Sequence, residues 1–187
     1  VQFLQNLKTA SEQDDLQLKL NIARTNEWLQ DDVLHLRWWF MLVLFLITAF
    51  LAWKVLDKSR LPEYLLFSFF VVIFILVLDE LGEEMAFWYY TTNLIPWFPP
   101  ISAIDVACLP LAYVLLYRVF RKWKGFLIAN AVMSVVFCFA LEPLFVWAGV
   151  YKMLMWKSWY GLPLYFAIAV VSKALVNKTE ARPRKTP

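Results

Sequence analysis

Five stretches of this chain, 38–56, 64–81, 101–120, 126–148 and 162–176, are apolar almost throughout, and each approaches or reaches the length a helix needs to cross a bilayer. At ~1.5 Å of rise per residue, roughly 20 residues cover the ~30 Å of hydrocarbon. A backbone in lipid must satisfy its own hydrogen bonds, which leaves helices and closed barrels, and the period-2 alternation of a barrel strand is absent. The sequence therefore predicts an all-α, polytopic membrane protein with five transmembrane helices. Composition agrees, since 61% of the 187 residues are hydrophobic and 18% aromatic, more than one globular core encloses. With 4 Gly and 9 Pro and neither repeat nor low-complexity tract, a single membrane domain over 37–178 is expected.

Residues 1–36 are polar and rich in Gln, Asn, Asp and Glu. Leu4, Leu7, Leu29 and Val33 suit a helix, whereas Leu16, Leu18, Leu20 and Ile22 alternate, and the segment reads as a mostly helical extramembrane lead-in. It lacks the basic start, apolar centre and small-residue cleavage site of a signal peptide, and a start at Val1 implies that the initiator residue is missing. Residues 179–187 form a basic tail. The stretch 87–100 carries Trp88, Tyr89, Tyr90 and Trp97 with Pro96, Pro99 and Pro100, which reads as an interfacial loop or re-entrant turn and not as a sixth span.

Orientation follows from the basic residues. Lys54, Lys58 and Arg60 fall in the first connection, Arg118, Arg121, Lys122 and Lys124 in the third, and Lys178, Arg182, Arg184 and Lys185 at the C-terminus. Five spans put all three groups on one side, which the positive-inside rule makes cytoplasmic, with the N-terminus outside. The connection 81–100 has no Lys or Arg. Tryptophans form matching belts, Trp38, Trp39, Trp88, Trp97, Trp156 and Trp159 outside, Trp53 and Trp123 inside. Lys173, about one turn from the cytoplasmic end of the last span, is expected to snorkel. The net charge of +3 then reflects topology and anionic lipid, not nucleic acid. Membrane lipids are the expected partners, and a homo-oligomer or a partner subunit remains open.

Ionisable residues at membrane depth are costly and mark functional sites by default. Asp79 closes the second span, Asp105 opens the third and Glu142 lies near the end of the fourth, so all three carboxylates share one depth toward the outer face. Pro110 and Pro143 break the helices beside them and free the carbonyls of Val106 and Phe139. Such acids bind a cation, share protons or pair with donors, and Trp88, Tyr90, Tyr151 and Trp159 are the available donors. Two arrangements are open: an outward-facing polar cavity, or acids that cap solvated helix ends while Glu142 pairs with Lys152 or an indole.

The remaining reactive residues are unpromising. His35 is the one histidine and suits an interfacial role; Cys108 and Cys138 sit in apolar runs as small hydrophobes without a CxxC or Cys/His pattern. Glu83 and Glu84 point about 100° apart on a helix and suit a solvated helix end. There is no phosphate loop, nucleophile elbow or HExxH, and no cofactor is expected. The leading function is binding or transport of a cation, proton or cationic ligand at the carboxylates. A non-catalytic membrane subunit or scaffold is the alternative, and an enzyme acting on lipid headgroups the third, although it lacks an obvious nucleophile or metal site.

Several short motifs occur in order: Trp38-Trp39, Asp57-Lys58 with Arg60, Leu78-Asp79 with Gly82, Trp88 with Tyr90, and Asp105 with Pro110. Tyr117, Trp123-Lys124 with Phe126, Glu142-Pro143-Leu144 and Tyr151 follow, then Trp156, Tyr160, Pro163 and Tyr165. Over roughly 28–178 this set resembles a family of uncharacterised small multi-pass membrane proteins of spore-forming bacilli and clostridia. The resemblance implies a bacterial cytoplasmic membrane and a five-helix bundle, and it supplies no activity. Thr91 stands where the pattern has proline after Trp-x-Tyr, and Gly161 where it has serine before Leu-Pro.

Overall fold

The apolar runs become helices, and those at 64–81 and 162–176 continue a few residues into their polar flanks. In the computed structural model, which describes residues 2–91, 94–95, 102 and 104–180, a long polar helix α1 (Gln2–Glu27) leads through a wide π turn (Trp28–Asp32) to α2 (Leu36–Val55). The connection to α3 (Leu61–Glu84) is fixed by Asp57, whose carboxylate accepts the Ser59 N–H at 3.0 Å and its hydroxyl at 2.9 Å. Those two donors hold the Asp57 carboxyl below the usual carboxylate range. Their contribution to stability is therefore present above that range and lost as the pH falls through the lowered value. Pro62 occupies the first turn of α3, where its missing N–H is harmless.

Beyond α3 come a short strand β1 (Trp88–Tyr90), a π turn (Ile104–Cys108) opening α4 (Leu109–Val119), and α5 (Trp123–Val136). A second π turn (Phe137–Leu141) joins α5 to α6 (Glu142–Trp147), followed by β2 (Tyr151–Met153) and α7 (Ser158–Glu180). α3 packs against α4 and α7, and α5 against α7. The core is aromatic. Phe67 stacks on Tyr117 with centroids 4.4 Å apart, and Tyr64, Tyr113, Phe126 and Phe137 are buried beside them.

Among the described residues, four helical segments are long and apolar enough to cross a membrane: Leu36–Val55, Lys58–Glu84, Trp123–Trp147 and Ser158–Thr179. The run 101–120, expected as a fifth, yields described helix only from Ile104 to Val119, about 24 Å at ~1.5 Å per residue and so short of the ~30 Å of hydrocarbon. This segment is well buried nonetheless, and it runs between the same two ends of the bundle as α3. Asp105 lies beside Asp79 at one end, and the Tyr117 hydroxyl donates to Glu63 at 2.6 Å at the other. Outward faces are apolar: Leu65, Phe69, Ile73, Val77 and Leu81 form an exposed stripe on α3, and the apolar window of α2 is only 11% buried. Water would penalise so large a patch, whereas hydrocarbon solvates it.

Two expectations need correcting at the connections. The 87–100 stretch is not all loop, since β1 pairs antiparallel with β2, Trp88 opposite Met153 and Tyr90 opposite Tyr151; Pro96, Pro99 and Pro100 lie outside the described residues. The pairing arises because α3 and α6 end on the same side of the bundle and their unpaired backbone must find donors and acceptors. Thr91 extends it through its N–H to the Val150 carbonyl at 3.1 Å and its hydroxyl to that of Gly149, and a proline at 91 would forfeit the first bond. Gly149, at φ 69°, ends α6 in the left-handed conformation that favours glycine.

The second correction is Lys173, which does not snorkel. Only 2% exposed, its ammonium donates to the carbonyls of Phe120 at 3.0 Å and Arg121 at 2.8 Å, closing the end of α4. The Phe126 ring centroid lies 4.0 Å away, with Tyr117 and Trp123 each at 5.3 Å. Carbonyls at a helix C-terminus and aromatic faces both favour a cation, which makes an inward rotamer better solvated than it looks. Nearby, buried Glu63 accepts from Tyr117 and pairs with Arg60 at 2.7 Å and Arg121 at 3.3 Å.

Candidate functional site

Asp79, Asp105 and Glu142 converge on one cavity of about 80 Å³ at the end of the bundle opposite Glu63 and Lys173. A buried water needs about 10–15 Å³ on the same measure, so several small polar atoms fit. Helical geometry explains how the acids come to face it. Glu142 follows Phe126, Asn130, Ser134 and Cys138 at intervals of four, and all five are buried. On a regular α-helix at about 100° per residue, Glu142 would lie about 160° from Phe126 and face outward. The π turn at Phe137–Leu141 takes one extra residue into a turn and returns roughly 100° of that drift. The π turn at Ile104–Cys108 does the same for Asp105 against Tyr113 and Tyr117. Pro110 and Pro143 sit in the first turn after each π segment, where the regular ladder is already interrupted.

The acids form two groups. Asp79 and Asp105 are neighbours that share the Tyr90 hydroxyl, which stands 3.0 Å from Asp105 Oδ1 and 3.5 Å from Asp79 Oδ1. Two carboxyls close to one hydroxyl repel each other, and a proton or a cation between them relieves the repulsion. Glu142 Oε1 accepts from the Tyr165 hydroxyl at 2.9 Å. Asp79 Oδ2 and Glu142 Oε2 are buried without a hydrogen-bond partner. Among the described residues no Lys, Arg or His lines the cavity, and the rest of the described wall is apolar and aromatic.

A solvated helix cap does not describe Asp105, which is 3% exposed; Asp79 is half-buried, and Glu142 is 6% exposed. Lys152, offered as a partner of Glu142, instead lies over the Tyr89 ring at 5.4 Å. Of the donors singled out in the sequence, Trp88 and Tyr90 line the cavity. Trp159 does not: it is exposed and packs on Tyr160 with centroids 4.2 Å apart. Tyr151 stands opposite Tyr90 in the strand pair, and its side chain lies outside the described residues. Glu83 is half-buried and accepts the Tyr90 N–H at 3.3 Å, which seats β1 over the cavity, while Glu84 is exposed.

Tyr165, Trp156 and Gly161 also line the cavity and were not singled out as site residues by the sequence. Tyr165 had a signal, a phenol inside an apolar span one turn after a glycine. Trp156 reads as one more interfacial indole, yet it meets Trp88 edge-on at 4.7 Å. The glycines make room: a Cβ on Gly82 would come within 2.1 Å of the Trp88 ring, and one on Gly161 within 2.9 Å of Tyr165 and 3.1 Å of Glu142 Oε1. Glycine in place of serine at 161 thus keeps a side chain off the carboxylate. No protein-family model, curated protein or solved structure matches this chain, and the functional reading rests on the geometry of the site.

Proposed function

We propose that this chain is a five-span protein of a bacterial cytoplasmic membrane that binds, and carries across, a cation, proton or cationic ligand at an outward-facing site formed by Asp79, Asp105 and Glu142. One observation carries the reading: buried Asp105 and Glu142 and half-buried Asp79 share a cavity that no basic side chain lines among the described residues, and one oxygen each of Asp79 and Glu142 is buried without a hydrogen-bond partner. Buried carboxylates without counter-charge are costly, and a cation or proton relieves that cost. The Ile104–Val119 segment counts as the fifth span because it runs antiparallel to α3 between the same two ends. The positive-inside rule supports Arg60 and Lys122 on the cytoplasmic side and α1 outside.

Purified in detergent, the wild-type protein is expected to gain thermal stability as cation or acid is added, since either removes repulsion between the carboxyls. Glu142→Gln keeps the shape and the Tyr165 hydrogen bond, and its melting temperature should respond more weakly. A wild-type protein indifferent to both pH and cations would overturn the reading in favour of a scaffold, for which the Tyr165–Glu142 and Tyr90–Asp105 links suffice as packing contacts. Topology has its own test. Lys157→Cys should react with an impermeant thiol reagent from outside intact cells, above the background of the wild type, and Lys58→Cys should not; both positions are exposed. Labelling of position 58 alone would invert the orientation.

A further inference from the structure

Resting on the cation site proposed above, we infer that its ligand is a small primary alkylammonium ion, held by its N–H donors at Asp79 and Glu142 with its carbon chain against the aromatic wall. The first argument is the kind of acceptor left open. Asp79 Oδ2 and Glu142 Oε2 are buried and unpartnered, and each needs a directed donor, which an –NH3+ group supplies three times over and a quaternary ammonium lacks.

The second argument is the wall. Trp88, Tyr90, Phe137, Phe145, Trp156 and Tyr165 surround the cavity, with Ile, Leu and Gly filling most of the remainder. Aromatic faces attract organic cations, and an apolar lining suits the alkyl portion of an amine. A hard metal ion asks for something else. Calcium takes six to eight oxygen ligands and magnesium a near-octahedral shell, whereas among the described residues no three His, Cys, Asp or Glu side chains are placed to hold a metal ion. Asp105 has already committed an oxygen to Tyr90 and Glu142 one to Tyr165, which leaves room for one proton-rich head group and not for a coordination sphere.

The third argument is size. Gly161 keeps a Cβ from standing within 3.1 Å of Glu142 Oε1, and the cavity of about 80 Å³ suits a head group with a few carbons. Trp88 is seated over Gly82, and its edge contact with Trp156 fixes the wall before any ligand arrives.

The test is the melting temperature of the full-length protein in lipid nanodiscs, titrated at constant ionic strength and pH with n-butylammonium, tetramethylammonium, sodium, potassium, calcium or magnesium chloride. A saturable rise of several degrees with n-butylammonium, larger than with tetramethylammonium and absent with the metals, is expected. Isothermal titration of the same pairs should then show half-saturation about tenfold weaker in Glu142→Gln, the equivalent of one lost charge-assisted hydrogen bond. Stabilisation by a metal ion and not by n-butylammonium would overturn the alkylammonium assignment and leave the cation site standing. Equal responses to n-butylammonium and tetramethylammonium would overturn the donor argument. Indifference to every cation and to pH would remove the site itself.

Discussion

Gly82→Ala is expected to unseat Trp88 and lower stability by about 2 kcal/mol, the usual scale for forcing an extra carbon into a packed interior. The added Cβ would stand 2.1 Å from one indole carbon and 2.3 Å from the next, and the ring is buried between Gly82 and Trp156, so a small adjustment does not accommodate it. Because Trp88 also lines the cavity, any cation-dependent stabilisation should fall in the same variant. Near-ultraviolet circular dichroism and thermal unfolding report the two effects. Gly125→Ala is the control: its Cβ meets only Phe120, at 3.4 Å, and alanine is the better helix former by roughly 0.5–1 kcal/mol. Similar losses in both variants would show that Trp88 is not held as described.

The second large effect is expected at the opposite end of the bundle. Glu63→Ala removes the one carboxylate that receives the Tyr117 hydroxyl and two guanidinium groups. Truncating one member of a buried charged network costs about 3–5 kcal/mol when the abandoned charges stay buried. Here the side chains of Arg60 and Arg121 are 38% and 46% exposed, and water takes up part of the loss, which brings the expectation to about 2–3 kcal/mol. Glu63→Gln keeps an acceptor for Tyr117 and should lose less. Chemical denaturation of wild type and both variants measures the order, and an alanine variant as stable as wild type would refute the network.

The long apolar helices were legible in the sequence because lipid demands length and apolarity, and both are read by counting. Asp79, Asp105 and Glu142 were legible as candidates for a related reason, since a carboxylate inside such a run stands out. Their angular placement was not. It depends on the two π turns, and one extra residue per turn leaves no mark in a pattern whose neighbours are nearly all apolar. Tryptophan posed the opposite difficulty: Trp88, Trp156 and Trp159 look alike in an interfacial belt, and only the strand pair and Gly82 decide that the first two turn inward. The shortness of α4 was hidden too, because the run 101–120 is apolar whether or not its first residues continue the helix.

Lys173 was misread because snorkelling considers one helix at a time, whereas the carbonyls of Phe120 and Arg121 and the ring of Phe126 belong to other segments. That dependence bears on how the protein is made. Of the four long apolar segments, the one carrying Lys173 has the lowest mean hydropathy, 1.5 against 1.9 to 2.5, and a lysine within a span opposes release from the translocon into lipid, by roughly 2.5–3.5 kcal/mol at a helix centre and less toward an end. The last helix is thus a poor passenger alone. Its partition into the bilayer is helped by the carbonyls of Phe120 and Arg121 and the ring of Phe126 already standing beside it, so α7 is a segment recruited by its predecessors as well as by the membrane.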